Sequence, residues 1–322
     1  MSGSVHIGLA MPGDKTAPSG NSVTAERWAA LLGEQGFRVS LVTGYQGEDF
    51  DALIAIHAWR SRQAIQAFRR RYPRRPLLVL LAGTDINHYL QAEPMATLAS
   101  LDSADRLIGL HGRVHEALPQ GYHHKLRVIY QSAPQTLRRR HPPHSTQQIC
   151  VFAHLRAVKD PLRAAEALRR LEADSALQVH LYGDAETDQW RRAADQEMAR
   201  NPRFYWHGSV PGETIAKVMA EARAMVISSL SEGGANVVSE ACRAGLPVIA
   251  SAIPGNLGLL GDDHPATFPA GDTEALALLL DRCQYDAAWL SDLEKRSLQL
   301  AERFHPERER NDLMALLAEL GL

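Results

Sequence analysis

The chain has 322 residues, enough for two domains of ordinary size, each with a core of its own. Hydrophobic residues at 45%, charged residues at 22% and a net charge of −2 fit a soluble globular protein. They exclude a general nucleic-acid binder, which needs a clear basic excess. The cysteines Cys150, Cys242 and Cys283 are far apart and lack metal-ligand spacing; they read as buried thiols in a reducing cytoplasm, and no metal is expected.

In chain order, Met1–His6 lacks the basic segment and apolar stretch of a signal peptide, so a cytoplasmic location is expected. Val5–Ala10 is a short apolar strand, followed by a Gly/Pro/Ser loop to Gly20 and a helix from about Asn21 to Gln35 that Gly36 stops. Phe37–Thr43, Asp51–Ile56, Pro76–Ala82, Asp105–Leu110 and Lys125–Tyr130 are further strands, with helical patterns between most of them. Leu77–Ala82 is far too short to span a bilayer. The alternation predicts a parallel, doubly wound sheet.

Residues 134–148, with Arg138-Arg-Arg140 and Pro142-Pro143, read as an exposed linker. A second alternation follows, with strands at Ile149–Ala153, Leu177–Tyr182, Phe204–His207, Ala224–Ser228 and Pro247–Ala250, and helices after Asp272, Asp286 and Pro306. The expected fold class is therefore α/β, with two Rossmann-like doubly wound domains. Residues 1–135 form the first and 148–305 the second, and the final helix at about 306–322 returns to the first. Two such domains facing each other place a cleft between the carboxyl ends of their strands, where ligands usually bind.

Glu232 and Glu240 carry the most information. The apolar strand before them, the Glu232-Gly-Gly-Ala235 loop and the helical spacing of Val237, Val238 and Ala241 put one carboxylate at a strand's carboxyl edge. The other lies about one turn inside the following helix. That helix start, with Gly233, Gly234, Ala235, Asn236 and Val237, offers free N–H groups to an anion. A diphosphate flanked by hydroxyl-bearing sugars satisfies both features, which describes a nucleotide sugar. Arg156 and Lys159 follow the first strand of the second domain, where two cations can grip a diphosphate and stabilise its departure. An exposed ion pair with Arg243 is the plainer account of Glu240, and two surface cations the plainer account of Arg156 and Lys159.

In the first domain, Pro18-Ser-Gly20-Asn21 opens a helix and forms a second candidate anion nest, against the alternative of an ordinary helix cap. His57, Arg60, Thr84 and Asp85 follow strands ending on the same edge. Arg60 suits a second anion, Thr84 and Asp85 can orient an acceptor, and His57 is as well explained as an ordinary histidine. The run Arg69–Arg75 follows a helix with Trp59, Ile65, Phe68 and Tyr72. A helix packing that stripe on the sheet, its cations in water, accounts for the run better than a membrane surface does.

Together these residues resemble the family 4 glycosyltransferases, whose fold is GT-B. The resemblance covers nearly the whole chain. It implies that Glu240 binds the donor ribose, that Glu232 faces the donor sugar and that Lys159 contacts the diphosphate. His154 replaces the family's usual arginine, and Arg156 supplies the charge from two positions on. Gly208, Ser209 and Val210 resemble the loop that contacts the nucleobase through its backbone. Gly233-Gly234-Ala235 replaces the more usual Gly-Phe-Gly.

Within that family, Gly20–Trp28, His57–Ser61, Gly83–Asp85, Arg127–Ala133, His154–Pro161, Glu232–Glu240 and Ile253–Gly261 resemble the selenosugar synthases (SenB-like) of selenoneine biosynthesis. The resemblance implies a UDP-sugar donor, UDP-N-acetylglucosamine or UDP-glucose, with selenophosphate as acceptor and a 1-selenosugar as product. It also implies a selenophosphate synthase as possible partner enzyme, and no cofactor. Arg156, Lys159 and Glu232 are then the expected catalytic residues, and Gly20, Asn21, His57, Arg60, Thr84 and Asp85 the expected acceptor cradle. Two alternatives stand beside it: an ordinary family 4 transferase with a lipid or sugar hydroxyl acceptor, and a non-catalytic sugar-nucleotide binder.

Overall fold

In the computed structural model, which describes residues 4–13, 20–133 and 146–322, the chain divides into two units. One is Met1–Gln131 with Pro306–Leu322, and the other is Ser132–His305.

The first unit contains β1 (His6–Ala10), α1 (Gly20–Gly33), β2 (Arg38–Val42), β3 (Ala52–Ile56), α2 (Arg62–Arg71) and β4 (Leu77–Leu80). A π-helical turn (Asp85–Tyr89) then runs into the short α3 (Leu90–Ala92), followed by α4 (Pro94–Ser103), β5 (Arg106–Gly109) and β6 (Leu126–Val128). The strands are parallel, in the order β2-β1-β3-β4-β5-β6. β3 and β4 are buried along their whole length, because a parallel sheet covered by helices on both faces has no wet side. Ile54, Ile56, Leu78 and Leu80 pack on α1 through Trp28, while Leu53, Ala55 and Val79 pack on Ile65 and Phe68 of α2. That alternation is the period-2 pleat.

The basic run at the end of α2 is tied down locally. Arg69 bonds Asp105 at 2.7 Å, Arg75 bonds Asp49 at 2.6 Å, and the Arg75 guanidinium lies 3.8 Å over the Tyr72 ring. The apolar stripe Ala64, Ile65 and Phe68 is buried, as a helix packed on the sheet requires.

The second unit contains β7 (Gln148–Phe152), α5 (Arg163–Leu168), β8 (Gln178–Tyr182), α6 (Asp188–Arg200), β9 (Phe204–Trp206) and α7 (Gly212–Glu221). It continues with β10 (Ala224–Ile227), α8 (Asn236–Ala244), β11 (Val248–Ser251), α9 (Pro254–Leu260), β12 (Thr267–Phe268), α10 (Thr273–Tyr285) and α11 (Ala287–Leu300). Its strands are also parallel, in the order β12-β11-β10-β7-β8-β9. Asp272 and Asp286 cap α10 and α11, accepting from the N–H groups of Ala275 and Trp289. The two-residue β12 has too little sequence to show a pattern, and sequence reading missed it.

The last helix, α12 (Pro306–Ala318), belongs to the first unit. Its Leu313, Leu316 and Leu317 join the core around Trp28. Glu309, wholly buried, accepts from Trp28 Nε1 at 2.7 Å and pairs with Arg27 at 2.9 Å. No helix among the described residues is long and apolar enough to cross a membrane.

Candidate active site

In the second sheet the chain leaves β7 toward β8 on one side and later returns as β10 on the other. Loops that diverge in this way open a crevice at the carboxyl ends of the two strands, which is where doubly wound sheets bind ligands. Lys159 ends the 3₁₀ turn Ala157–Lys159 after β7, and Glu232 lies in the loop after β10. Lys159 Nζ sits 2.5 Å from Glu232 Oε1, with the lysine 20% and the glutamate 8% exposed. The same oxygen accepts from Ser229 Oγ at 2.6 Å. The two loops are stitched by Ser228 Oγ donating to Asp160 O at 2.8 Å and by Leu230 N donating to Val158 O at 2.9 Å.

A buried polar column supports this pair from below. Ser251 Oγ donates to Ser229 O at 2.6 Å, and Asn256 Nδ2 donates to the carbonyl and hydroxyl of Ser251 at 3.1 and 3.0 Å. Gly255 in α9 presses on the loop so closely that a Cβ there would lie 2.4 Å from Glu232 O. Lys159, Glu232, Ser228, Ser229, Phe152 and Val237 line one small recess.

Arg156 is exposed, and its side chain has no partner among the described residues. His154, where the resemblance expects arginine, accepts the N–H of Asp184 on Nδ1 at 3.1 Å. A neutral ring therefore carries its proton on Nε2. Ala235 stands at the start of α8 and gives no side-chain cap there. Asn236, Glu240 and Arg243 follow on that helix at i, i+4 and i+7, with Glu240 half-buried.

In the loop after β9, Gly208 adopts φ +66° and its carbonyl accepts from Gly183 N at 2.8 Å. The N–H groups of Ser209 and Val210 donate to no acceptor among the described residues. Beside them His207 stacks on Tyr182 at 4.6 Å and meets His180 nitrogen to nitrogen at 3.0 Å. Burial, reinforced by His207, lowers the His180 pKa to about 4.

The first sheet turns over between β1 and β3. Of the expected anion nest there, Pro18 and Ser19 lie outside the described residues, while Gly20 and Asn21 begin α1. A Cβ on Gly20 would meet nothing within 4 Å, so packing does not demand glycine at that point.

His57 and Asp85 differ from expectation. His57 is 1% exposed and holds φ +75°, a left-handed backbone that non-glycine residues rarely adopt. Its Nδ1 lies 2.6 Å from Asp85 Oδ1, and its Nε2 lies 2.8 Å from Thr84 Oγ1. Asp85, at 0% exposure, also accepts the N–H groups of Ala58, Trp59 and Ala82 at 2.8, 2.9 and 2.9 Å. Four donors fill a carboxylate's capacity, so Asp85 has nothing left to orient an acceptor directly. Thr84 and Arg60 are exposed, and the Arg60 side chain has no partner among the described residues.

Sequence reading missed His111, just past β5 on the same edge. It is 1% exposed, both ring nitrogens lack a partner, and burial lowers its pKa to about 4. Its only signal was a histidine following a predicted strand. Among the described residues no group of three or more His, Cys, Asp or Glu side chains could hold a metal ion.

Several solved structures share this fold. The sucrose-phosphate synthase of Thermosynechococcus elongatus matches at 17% identity and a TM-score of 0.84, over 98% of this chain and 99% of that one. HepE of Anabaena in complex with UDP-glucose matches at 16% identity and a TM-score of 0.76, over 97% and 99%. A glycosyltransferase from Rickettsia africae matches at 13% identity and a TM-score of 0.72, over 98% of each chain. At such identities the likeness concerns the fold, which is GT-B. The model of the family "Glycosyl transferases group 1" matches residues 135–297, a span that contains the Lys159–Glu232 pair, the 207–210 loop and α8. With that match over half its length, the chain belongs to the group 1 glycosyl transferases.

Proposed function

We propose that this glycosyltransferase transfers the sugar of a UDP-sugar, UDP-N-acetylglucosamine or UDP-glucose, to selenophosphate. The observation that carries the donor half is the Lys159–Glu232 pair at the turning point of the second sheet, 2.5 Å apart. Lys159 and the exposed Arg156 would hold the diphosphate, and Glu240 on α8 the ribose. The free N–H groups of Ser209 and Val210 suit the edge of a nucleobase. HepE, of similar fold, has been solved with UDP and with UDP-glucose.

The acceptor half is supported by what the first sheet offers. Its one carboxylate at the expected position, Asp85, is saturated, whereas a guanidinium, Arg60, and a hydroxyl, Thr84, are exposed. That set suits a small anion that is already nucleophilic and needs no general base. Selenium attacks the anomeric carbon with its own electron pair. The bond from that carbon to the diphosphate oxygen breaks, and its pair leaves with UDP. Water then cleaves the Se–P bond, giving phosphate and the 1-selenosugar. Arg156 and Lys159 stabilise charge building on the departing diphosphate, which is usually the largest catalytic contribution.

The test supplies purified protein with each UDP-sugar and selenophosphate, and follows UDP release together with a product bearing the selenium isotope pattern in mass spectra. UDP release with sugar or lipid alcohols and none with selenophosphate would overturn the acceptor and keep the donor.

A further inference from the structure

We propose that Asp85 and His57 are a positioning pair that fixes the Thr84 hydroxyl as the polar group presented to the acceptor. The inference rests on the acceptor reading above and assigns roles within it. Two departures from regular backbone converge on this one contact. His57 holds φ +75° at the end of β3, and Thr84 immediately precedes the π-helical turn that follows β4. Strain of either kind persists only where the surroundings impose it, and it clusters at functional sites.

The hydrogen bonding gives the pair its direction. Nδ1 lies 2.6 Å from Asp85 Oδ1, with the Arg60 N–H 3.2 Å away, so that edge of the ring is engaged from the interior. The remaining nitrogen, Nε2, is thereby aimed at Thr84 Oγ1, 2.8 Å away. Asp85 and His57 are buried and Thr84 is exposed, so the chain of bonds runs from the interior to a single outward hydroxyl. A rotatable surface hydroxyl is thereby held in one orientation.

The test is a double-mutant cycle on the full chain, read by acceptor KM, donor KM and thermal unfolding. Thr84→Val should raise acceptor KM about tenfold with donor KM unchanged, and Thr84→Ser should restore it. His57→Asn, which tolerates a left-handed backbone, should raise acceptor KM by a similar factor and add nothing in the Thr84→Val background. Additive effects, or wild-type acceptor KM in Thr84→Val, overturn the proposal. If His57→Asn does not fold, the valine and serine variants decide alone.

Should the wild type not use selenophosphate, the proposed acceptor fails on its own. The positioning pair is then read by NMR with inorganic phosphate. Shifts of the His57 ring signals that vanish in Thr84→Val support it, and ring signals that do not move overturn it.

Discussion

Lys159 and Glu232 neutralise each other at the ends of two neighbouring strands, 2.5 Å apart across 73 residues of sequence. The lysine is thus held extended toward the crevice before any ligand arrives, and the ordering entropy of a long side chain is already met. Lys159→Ala should lower kcat/KM for the donor by a factor of about 10²–10³, the loss typical of one electrostatic contact to a leaving group. UDP release under subsaturating donor checks it. Glu232→Gln keeps the shape but frees the ammonium, and should raise donor KM less than Lys159→Ala does.

Gly255 sets the height of that pair. A methyl group there would meet Glu232 O at 2.4 Å and Glu232 Cβ at 2.8 Å, both parts of a loop braced by Ser229 and Ser251. Gly255→Ala should destabilise the second unit by about 1–3 kcal/mol and lower donor kcat/KM together. A denaturation curve and a donor titration on the same preparation measure both.

Glu309 is the hinge pin of a different attachment. Removing its carboxylate leaves the buried Trp28 N–H unpaired, and Glu309→Ala should cost about 1–3 kcal/mol in the first unit. Urea unfolding followed by tryptophan fluorescence should show a lower midpoint for the first unit, while the transition of the second unit stays in place.

Acid should weaken the protein as pH falls below the ordinary histidine value. His111 has its pKa lowered from 6.5 to about 4 by burial, so in the interval between those values the unfolded chain binds a proton that the folded chain refuses. Stability is therefore complete above the unfolded value and falls as pH drops toward the folded one, by up to ~1.4 kcal/mol per pH unit. His180, lowered to about 4 by burial and by His207, adds in the same direction. Stability measured from pH 7 to 4 should decline less steeply in His111→Leu.

Much of this was legible in the sequence because both parallel sheets are covered on both faces, which makes strands such as Leu77–Leu80 continuous apolar runs. Lys159 and Glu232 were each legible from their place after a strand. Their contact was not, since it depends on β10 lying beside β7, a fact of strand order rather than of local spacing. Asp85 was legible as a residue that follows a strand, but its hydrogen bonding was not. Its four donors come from residues 57–59 and 82, and no pattern in the chain announces how many hydrogen bonds a carboxylate will have to accept. His111 was silent for the same reason, because burial without a partner is decided by packing.

The return of α12 to the first unit has a topological consequence. Residues 132–305 are an insertion within the first unit, which is continuous only in space. The insertion's two ends run side by side, with Ala133 N donating to Phe304 O at 3.1 Å. Joined ends are what a transplantable module needs. The second unit should therefore be excisable as one uninterrupted fragment, whereas the first unit needs residues from both sides of the insertion and can be completed only after the insertion has been synthesised.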